Sequence, residues 1–196
     1  MTEQDPLASG RAALEAGRWE EARAAFAVAL AERETPEALA GMGVALWWLG
    51  ETRASVAHTE RAYAEFRRAG DAVSAAVAAM SLCVTWISNF DNHAAAGGWL
   101  ARAERALGDA DPNPLQGSLW LLRGYLEPDA GCARDLQQRV LELARATGDP
   151  DLELCALGDL GVSLVTAGRA QEGLALIDEA MAGTLGGEHR RLDTVV

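Results

Sequence analysis

The chain has 196 residues, a formal net charge of −12 at pH 7, and no lysine among its basic residues. An acidic surface repels phosphate groups, so this composition argues against nucleic acid or an anionic membrane as the partner of this segment. Hydrophobic residues make up 49% of the chain and prolines number six, which favours a helical protein with a sizeable core.

Capping residues mark the starts of the predicted helices. Asp5, Thr35 and Asp149 each precede a proline. Such a pair suits a helix start, because the side chain accepts from the first amides and proline needs no donor there. Gly-Asp pairs at 70–71 and 148–149 end one helix and cap the next. The predicted helix pairs are 6–17 with 19–34, 36–49 with 52–69, 71–88 with 92–107, 112–126 with 129–147, and 150–167 with 170–183.

A spaced glycine phrase recurs along the chain and indicates internal repeats. Each phrase predicts a helix, a tight turn and a second helix packed back on the first. In the third and fourth units, residues 89–92 and 127–129 replace the glycine turn, so we expect an irregular array around 89–128. The glycine pairs are Gly10 with Gly17, Gly43 with Gly50, and Gly161 with Gly168.

These marks predict a single array of repeats along the whole chain. Two prolines at 109–114 forbid a continuing helix and give the strongest loop signal. Residues 188–196 are predicted to start a sixth, incomplete repeat, because Leu192, Val195 and Val196 are apolar. A solenoid normally ends in a polar cap, so we expect a longer protein or an end that packs against a partner. The predicted repeats are 6–35, 36–70, 71–110, 111–148 and 149–187.

The repeated residues resemble the tetratricopeptide repeat (TPR). That family has a large apolar residue, Leu-Gly, a glycine turn, and then alanine, an aromatic residue and alanine at fixed steps. The resemblance implies an all-α, right-handed solenoid of antiparallel helix pairs, which binds a protein, a peptide or a small effector in its concave groove. The first, second and fifth units match best, through residues that include Trp19, Phe26, Leu39, Leu46, Leu160 and Ile177.

A narrower resemblance is to the TPR regions of actinobacterial LuxR-type transcriptional regulators. It rests on residues 45–50, 67–71 and 168–181. In that family a C-terminal helix-turn-helix usually follows the repeats, and no such element is present in these 196 residues. The resemblance therefore implies the partner-binding or sensory part of a regulator, without direct contact to nucleic acid. The alternative is a stand-alone TPR scaffold with no link to transcription.

The first helix of each repeat lines the groove in the TPR family, and the resemblance carries this role to matching positions here. The resulting groove is apolar and lacks the paired cations that clamp a carboxylate, so it fits an apolar peptide or helix better than an acidic tail. The predicted groove residues are Arg11, Leu14, Val44, Trp47, Trp48, Ile87, Ser88, Arg123 and Val165, with Glu15, Ala40, Val84, Gly158, Val162 and Thr166 beside them.

Trp47 and Trp48 admit two interpretations. Adjacent residues on a helix point about 100° apart, so at most one ring lies fully in the core. Either both are structural, one in the core and one at a repeat junction, or one lines the groove as a binding anchor. Arg123 is either a groove cation or a surface arginine whose stem covers Trp120. The tryptophans predicted to lie in the core are Trp86, Trp99 and Trp120.

No arrangement of residues in the sequence indicates catalysis or cofactor binding. The histidines, at 58, 93 and 189, have no metal-ligand spacing, and phosphate-loop and nucleophile-elbow motifs are absent. Asp91 and His93 lie together at a turn, which we interpret as a helix cap; a hydrolase using this pair is the alternative. The sequence therefore predicts a non-enzymatic protein without cofactor or metal.

The cysteines and the chain start favour a cytoplasmic protein. Cys83, Cys132 and Cys155 are far apart and odd in number, so we expect reduced, partly buried packing residues. The first residues lack the pattern of a secretory signal, and no apolar run is long enough to span a bilayer. Homo-oligomerisation stays open at this point.

Overall fold

All the regular elements of the described chain are α-helices joined by short links. The computed structural model describes residues 5–108 and 115–188. The helices in these ranges are α1 (Pro6–Glu15), α2 (Trp19–Glu32), α3 (Pro36–Trp48), α4 (Thr52–Ala69), α5 (Ala72–Ser88), α6 (His93–Leu107), α7 (Gln116–Leu126), α8 (Ala130–Thr147), α9 (Pro150–Thr166) and α10 (Ala170–Leu185).

The helix starts follow from the capping residues seen in the sequence. Asp5, Thr35 and Asp149 accept hydrogen bonds from amides in the first turns of α1, α3 and α9, at 3.0, 3.2 and 3.1 Å. The predicted all-α class is confirmed, and the helices agree with the predicted segments to within a few residues. The predicted loop at 109–114 and the predicted sixth repeat, apart from Glu188, lie outside the described residues. The division into five repeats stays a prediction.

Tight turns fold the second helix of a pair back on the first. Gly17, Gly50 and Gly168 have φ angles of 68°, 77° and 82°, in the left-handed region that glycine adopts without strain. In each turn the next amide donates to a carbonyl five residues earlier, at 2.9 Å, which closes the end of the first helix. In the third pair Asp91 takes the left-handed conformation, with a φ of 48°. An aspartate there takes the role that glycine has in the turns at Gly17, Gly50 and Gly168.

The chain divides into two compact units, 1–111 and 112–196. The first unit contains α1 to α6. The side chain of Phe26 in α2 is fully buried in its core. The ring lies against Gly10 of α1 and Gly41 of α3. A Cβ atom at Gly10 would stand 2.7 Å from the ring, and one at Gly41 would also overlap it. Three helices therefore pack around one ring, because two of them present no side chain to it.

The second unit contains α7 to α10, with a core of aliphatic side chains. Val140 and Leu141 of α8 pack with Leu152 and Leu157 of α9 in one buried cluster. Helices α9 and α10 approach closely, since a Cβ atom at Gly161 would stand 2.8 Å from a backbone carbonyl of α10. Small residues at this crossing let the two backbones touch, as the glycine phrase predicts.

Candidate partner-binding surface

Helix α5 has an uncharged, partly exposed apolar face. No residue between Ala72 and Ser88 carries a charge. Val73 and Val77 are 45% and 44% exposed, one helical turn apart. The opposite side of the helix buries small residues and Leu82, which lets α5 lie close to α4 and α6. We call the outward residues the α5 stripe, and its half-buried or exposed members are Val73, Val77, Met80, Val84 and Ile87.

Helix α3 is held in a fixed rotation that turns Val44 outward. The Ser55 hydroxyl of α4 donates to the Gly43 carbonyl at 2.7 Å, and the Thr59 hydroxyl donates to the Ser55 carbonyl at 2.9 Å. A Cβ atom at Gly43 would overlap Thr59, so α3 meets α4 through this glycine. Val44, the next residue, is 39% exposed, and its place in a groove stays a prediction.

Trp47 and Trp48 each bridge α3 to a neighbouring helix pair. The Trp48 ring stacks on Trp19 of α2 with a centroid distance of 4.7 Å and an interplanar angle of 2°. Trp47 meets Trp48 edge-on at 5.0 Å, and its indole Nε1 donates to Asn89 Oδ1 at 3.0 Å. Both rings are half-buried, so neither lies in the core and both lie at junctions. The hydrogen bond between Trp47 and Asn89 also places the C-terminal ends of α3 and α5 side by side.

The tryptophans predicted as core residues are half-buried instead. Trp86 packs on Phe90 at 4.7 Å, and Trp99 lies edge-on to Tyr63 at 5.3 Å. The Arg139 guanidinium lies over Trp120, 4.2 Å from the ring centroid. These indole rings pack at junctions between helices, and the Trp86 Nε1 is buried there without a hydrogen-bond acceptor among the described residues.

The remaining predicted groove residues are distributed over both units. In the first unit, Arg11 is exposed on α1, while Leu14 packs on the core. Arg123 of α7 and Val165 of α9 are exposed, and both belong to the second unit. Val73 and Val77 of the α5 stripe were missed from sequence. The signal that could have found them is the absence of charge across the whole helix.

An open depression of about 400 Å³ lies beside the Trp47–Asn89 bond. It is lined by residues 50–54, at the start of α4, and by Asn89 and Phe90. The depression is shallow and open to solvent. Its floor continues the exposed surface at the C-terminal ends of α3 and α5.

The polar pair Asp91 and His93 is exposed to solvent. The His93 Nε2 lies 3.5 Å from Asp91 Oδ1, and the two side chains are outside the depression. Asn92 caps α6 by accepting from the Ala95 amide at 3.0 Å, which supports the interpretation of this turn as a cap. The His93 and Asp91 side chains are 57% and 97% exposed, so this geometry gives the hydrolase alternative no support.

Groups with redox or metal chemistry are dispersed through the described residues. Within them, no cluster of three His, Cys, Asp or Glu side chains could hold a metal ion. Burial raises the pKa of the Cys83 thiol to about 11. Cys132 is exposed at the start of α8, so the prediction of partial burial is wrong for it. Over the same described ranges, no helix combines the length and hydropathy needed to cross a membrane.

Comparison with known proteins identifies the architecture. No family model matches the sequence, and no curated protein matches it. Several solved structures are similar, and three of them illustrate the likeness. BtubC from P. vanneervenii is 16% identical with a TM-score of 0.68, over 91% of this chain and 78% of that one. A thermophilic TPR protein of Thermus thermophilus is 24% identical with a TM-score of 0.63, over 92% and 90%. MamA of AMB-1 is 20% identical with a TM-score of 0.54, over 92% and 91%. The predicted TPR-like α-solenoid is thereby confirmed as the fold.

Proposed function

We propose that this protein is a protein-interaction module that holds an apolar peptide or partner helix against α3 and the α5 stripe. TPR-like folds generally serve as interaction modules. The observation that carries the proposal is an uncharged helix with Val73 and Val77 nearly half exposed. A contiguous group of exposed apolar residues on a soluble protein commonly marks a binding site, whereas single exposed apolar residues are ordinary.

The chemistry of the stripe selects an apolar occupant. Two hydroxyls in the middle of this helix are already used, since Ser81 donates to the Val77 carbonyl at 3.1 Å and Thr85 to the Ser81 carbonyl at 2.8 Å. Neither α3 nor α5 carries a cation that could pair with a carboxylate. Full burial of an aliphatic side chain contributes roughly 1.5–3 kcal/mol, so burying the exposed parts of the stripe contributes to binding, offset by the entropy lost on association.

A peptide array tests this proposal. Immobilised apolar helical peptides, apolar extended peptides and acidic C-terminal peptides are incubated with the full chain. We expect the apolar peptides to bind and the Val77→Asp variant to lose at least about tenfold in affinity, because an ionised carboxylate enters the contact. Val28→Asp is the matched control, since Val28 is exposed on α2, outside the stripe. Preferential binding of acidic peptides, or equal losses in the two variants, would contradict the proposal.

We further infer, from sequence resemblance alone, that the module is the non-DNA-binding part of a bacterial LuxR-type transcriptional regulator in the cytoplasm. Binding of a peptide, helix or small effector would then be coupled to a separate DNA-binding domain. The alternative is a stand-alone scaffold with no link to transcription. The gene distinguishes them, since a reading frame that continues beyond Val196 into a helix-turn-helix supports the regulator.

A further inference from the structure

One side of helix α9 combines a half-buried carboxyl with exposed residues. Asp159, Val162 and Thr166 follow each other at steps of three and four residues, which places them on one side of the helix. Val162 is 57% exposed and Thr166 is exposed, whereas Asp159 is half-buried. Gly158 lies one turn before Val162, and a Cβ atom there would meet nothing within 4 Å. We call Gly158, Asp159, Val162 and Thr166 the α9 face.

The Asp159 carboxyl makes no hydrogen bond and no ion pair with the described residues. Burial raises the pKa of this carboxyl above its ordinary value, and neither a neighbouring cation nor a hydrogen-bond donor counters that shift. Cations elsewhere in the unit are engaged, since Arg145 pairs with Glu153 at 2.8 Å and Arg169 with Glu172 at 2.6 Å. A desolvated carboxyl without a partner opposes folding, so packing gives no reason for an aspartate at this position.

A cationic ligand would supply the partner that the fold does not provide. A guanidinium or ammonium group stabilises a desolvated carboxylate, and their hydrogen bonds are stronger there than on an open surface. The formal net charge of −12 attracts cations to the protein over longer distances. Beside the carboxyl, Val162 offers an apolar contact and Gly158 leaves room for a side chain of the ligand.

We propose that the α9 face binds a peptide segment in which one arginine or lysine lies among aliphatic residues. The cation pairs with Asp159, and an aliphatic neighbour packs on Val162 over the open space at Gly158. Helix α9 belongs to the second unit and α5 to the first, so this surface is distinct from the α5 stripe. It adds a selectivity for charge that the uncharged α5 stripe does not have.

Binding of capped peptides to the full chain tests the selectivity for charge. The probes are three fluorescent peptides of alanine, valine and leucine whose central residue is arginine, citrulline or glutamate. Citrulline keeps the shape of arginine without its charge. Fluorescence anisotropy should give the arginine peptide at least about tenfold higher affinity than the citrulline peptide, because the ion pair is lost. Equal affinities of these two peptides, or a preference for the glutamate peptide, overturn the proposal.

Two charge variants assign this selectivity to one carboxyl. Asp159→Asn should remove the difference between the arginine and citrulline peptides, and it should not unfold the protein because it removes a desolvated charge. Asp178→Asn is the matched control, since it removes an exposed carboxyl of α10 with the same change in net charge. The difference should persist in this control. The same effect in both variants overturns the proposal.

Two glycine variants test the position of the site. Gly158→Leu fills the open space and should lower the affinity for the arginine peptide at least about tenfold. Gly97→Leu is the matched control, because a Cβ atom at Gly97 of α6 also meets nothing within 4 Å. Leucine is a better helix former than glycine, so both variants should keep the fold. Equal affinities of the two variants for the arginine peptide overturn the proposal.

Val77→Asp separates this site from the α5 stripe. The difference in affinity between the arginine and citrulline peptides should be unchanged in this variant, because Val77 belongs to the first unit. Loss of the difference in Val77→Asp would assign the cationic peptide to the α5 stripe. That result overturns the present proposal and leaves the function proposed for the α5 stripe standing.

Discussion

Helix α2 of the first unit and helix α8 of the second unit use one helical position in opposite ways. The eighth residue of α2 is Phe26, which is fully buried between Gly10 and Gly41. The eighth residue of α8 is Gln137, which is 5% exposed and packs against Gly124. The Gln137 Oε1 is buried and accepts no hydrogen bond from the described residues. An apolar ring fills the first junction, whereas an amide with an unpaired oxygen fills the second.

A second polar group adds to this difference. Asp159 of α9 lies two residues before Gly161, as Gly41 lies two residues before Gly43. Burial raises the pKa of the Asp159 carboxyl to about 6. Desolvation of the half-buried Asp159 carboxyl and of the unpaired Gln137 oxygen opposes folding. The comparison teaches that an apolar or a polar side chain can keep the same helix spacing, but that the two give the fold different stability. We expect the second unit to be the weaker one and to respond to pH.

Exchanging the residue types gives the largest expected effect. Phe26→Gln should lower the free energy of unfolding by about 3–5 kcal/mol, because it removes the ring and buries an amide between two glycines. Urea unfolding followed by circular dichroism measures this loss. Val28→Gln, an exposed change on the same helix, should stay within about 0.5 kcal/mol. A loss below about 1 kcal/mol for Phe26→Gln would mean that the first junction tolerates polarity as the second one does.

Asp159→Asn should have the next largest effect, with a defined pH dependence. The folded pKa of about 6 exceeds the ordinary value of 3.8, so the folded state favours the protonated carboxyl. Stability is therefore lost as the pH rises between these two values. A shift of this size corresponds to at most about 3 kcal/mol, and partial hydration reduces it to about 2 kcal/mol.

Thermal unfolding near pH 7 and near pH 4 tests this sign. Asp159→Asn should raise the midpoint at the higher pH and leave it nearly unchanged at the lower pH, because the wild-type carboxyl is then mostly protonated in the folded protein. Asp178→Asn, which is exposed on α10, is the control. An equal gain at both pH values would assign the effect to packing instead of ionisation.

The fold could be predicted from sequence because its signals are local. Caps at Asp5 and Thr35 and glycine turns such as Gly17 act within a few residues, so their consequences need no knowledge of distant neighbours. The surface was harder to predict, since it depends on how neighbouring helices meet. The sequence left Trp48 in the core, at a repeat junction or at the groove, and its stack on Trp19 depends on the rotation of α3 against α2.

The polar junction was missed for the same reason. Gln137 lies in a helix rich in charged residues, where a glutamine at one position does not stand out. Its burial becomes visible only when α8 is aligned with α2 by helix start, which puts Gln137 in the place of Phe26. Asp159 was hidden in the same way among the apolar residues of α9, which were interpreted as core and groove positions.

Gln137→Met should give the smallest effect, a gain of about 1 kcal/mol in the free energy of unfolding. The methionine side chain keeps the length and flexibility of glutamine and removes the unpaired oxygen. Gln138→Met, on the solvent side of α8, is the matched control and should change stability by less than about 0.5 kcal/mol. A loss in Gln137→Met would show that the amide contributes to stability. A gain in the free energy of unfolding for Gln137→Met, together with a loss for Phe26→Gln, would show that both junctions are more stable with an apolar side chain. The buried amide would then be a destabilising residue that the second unit tolerates and the first one lacks.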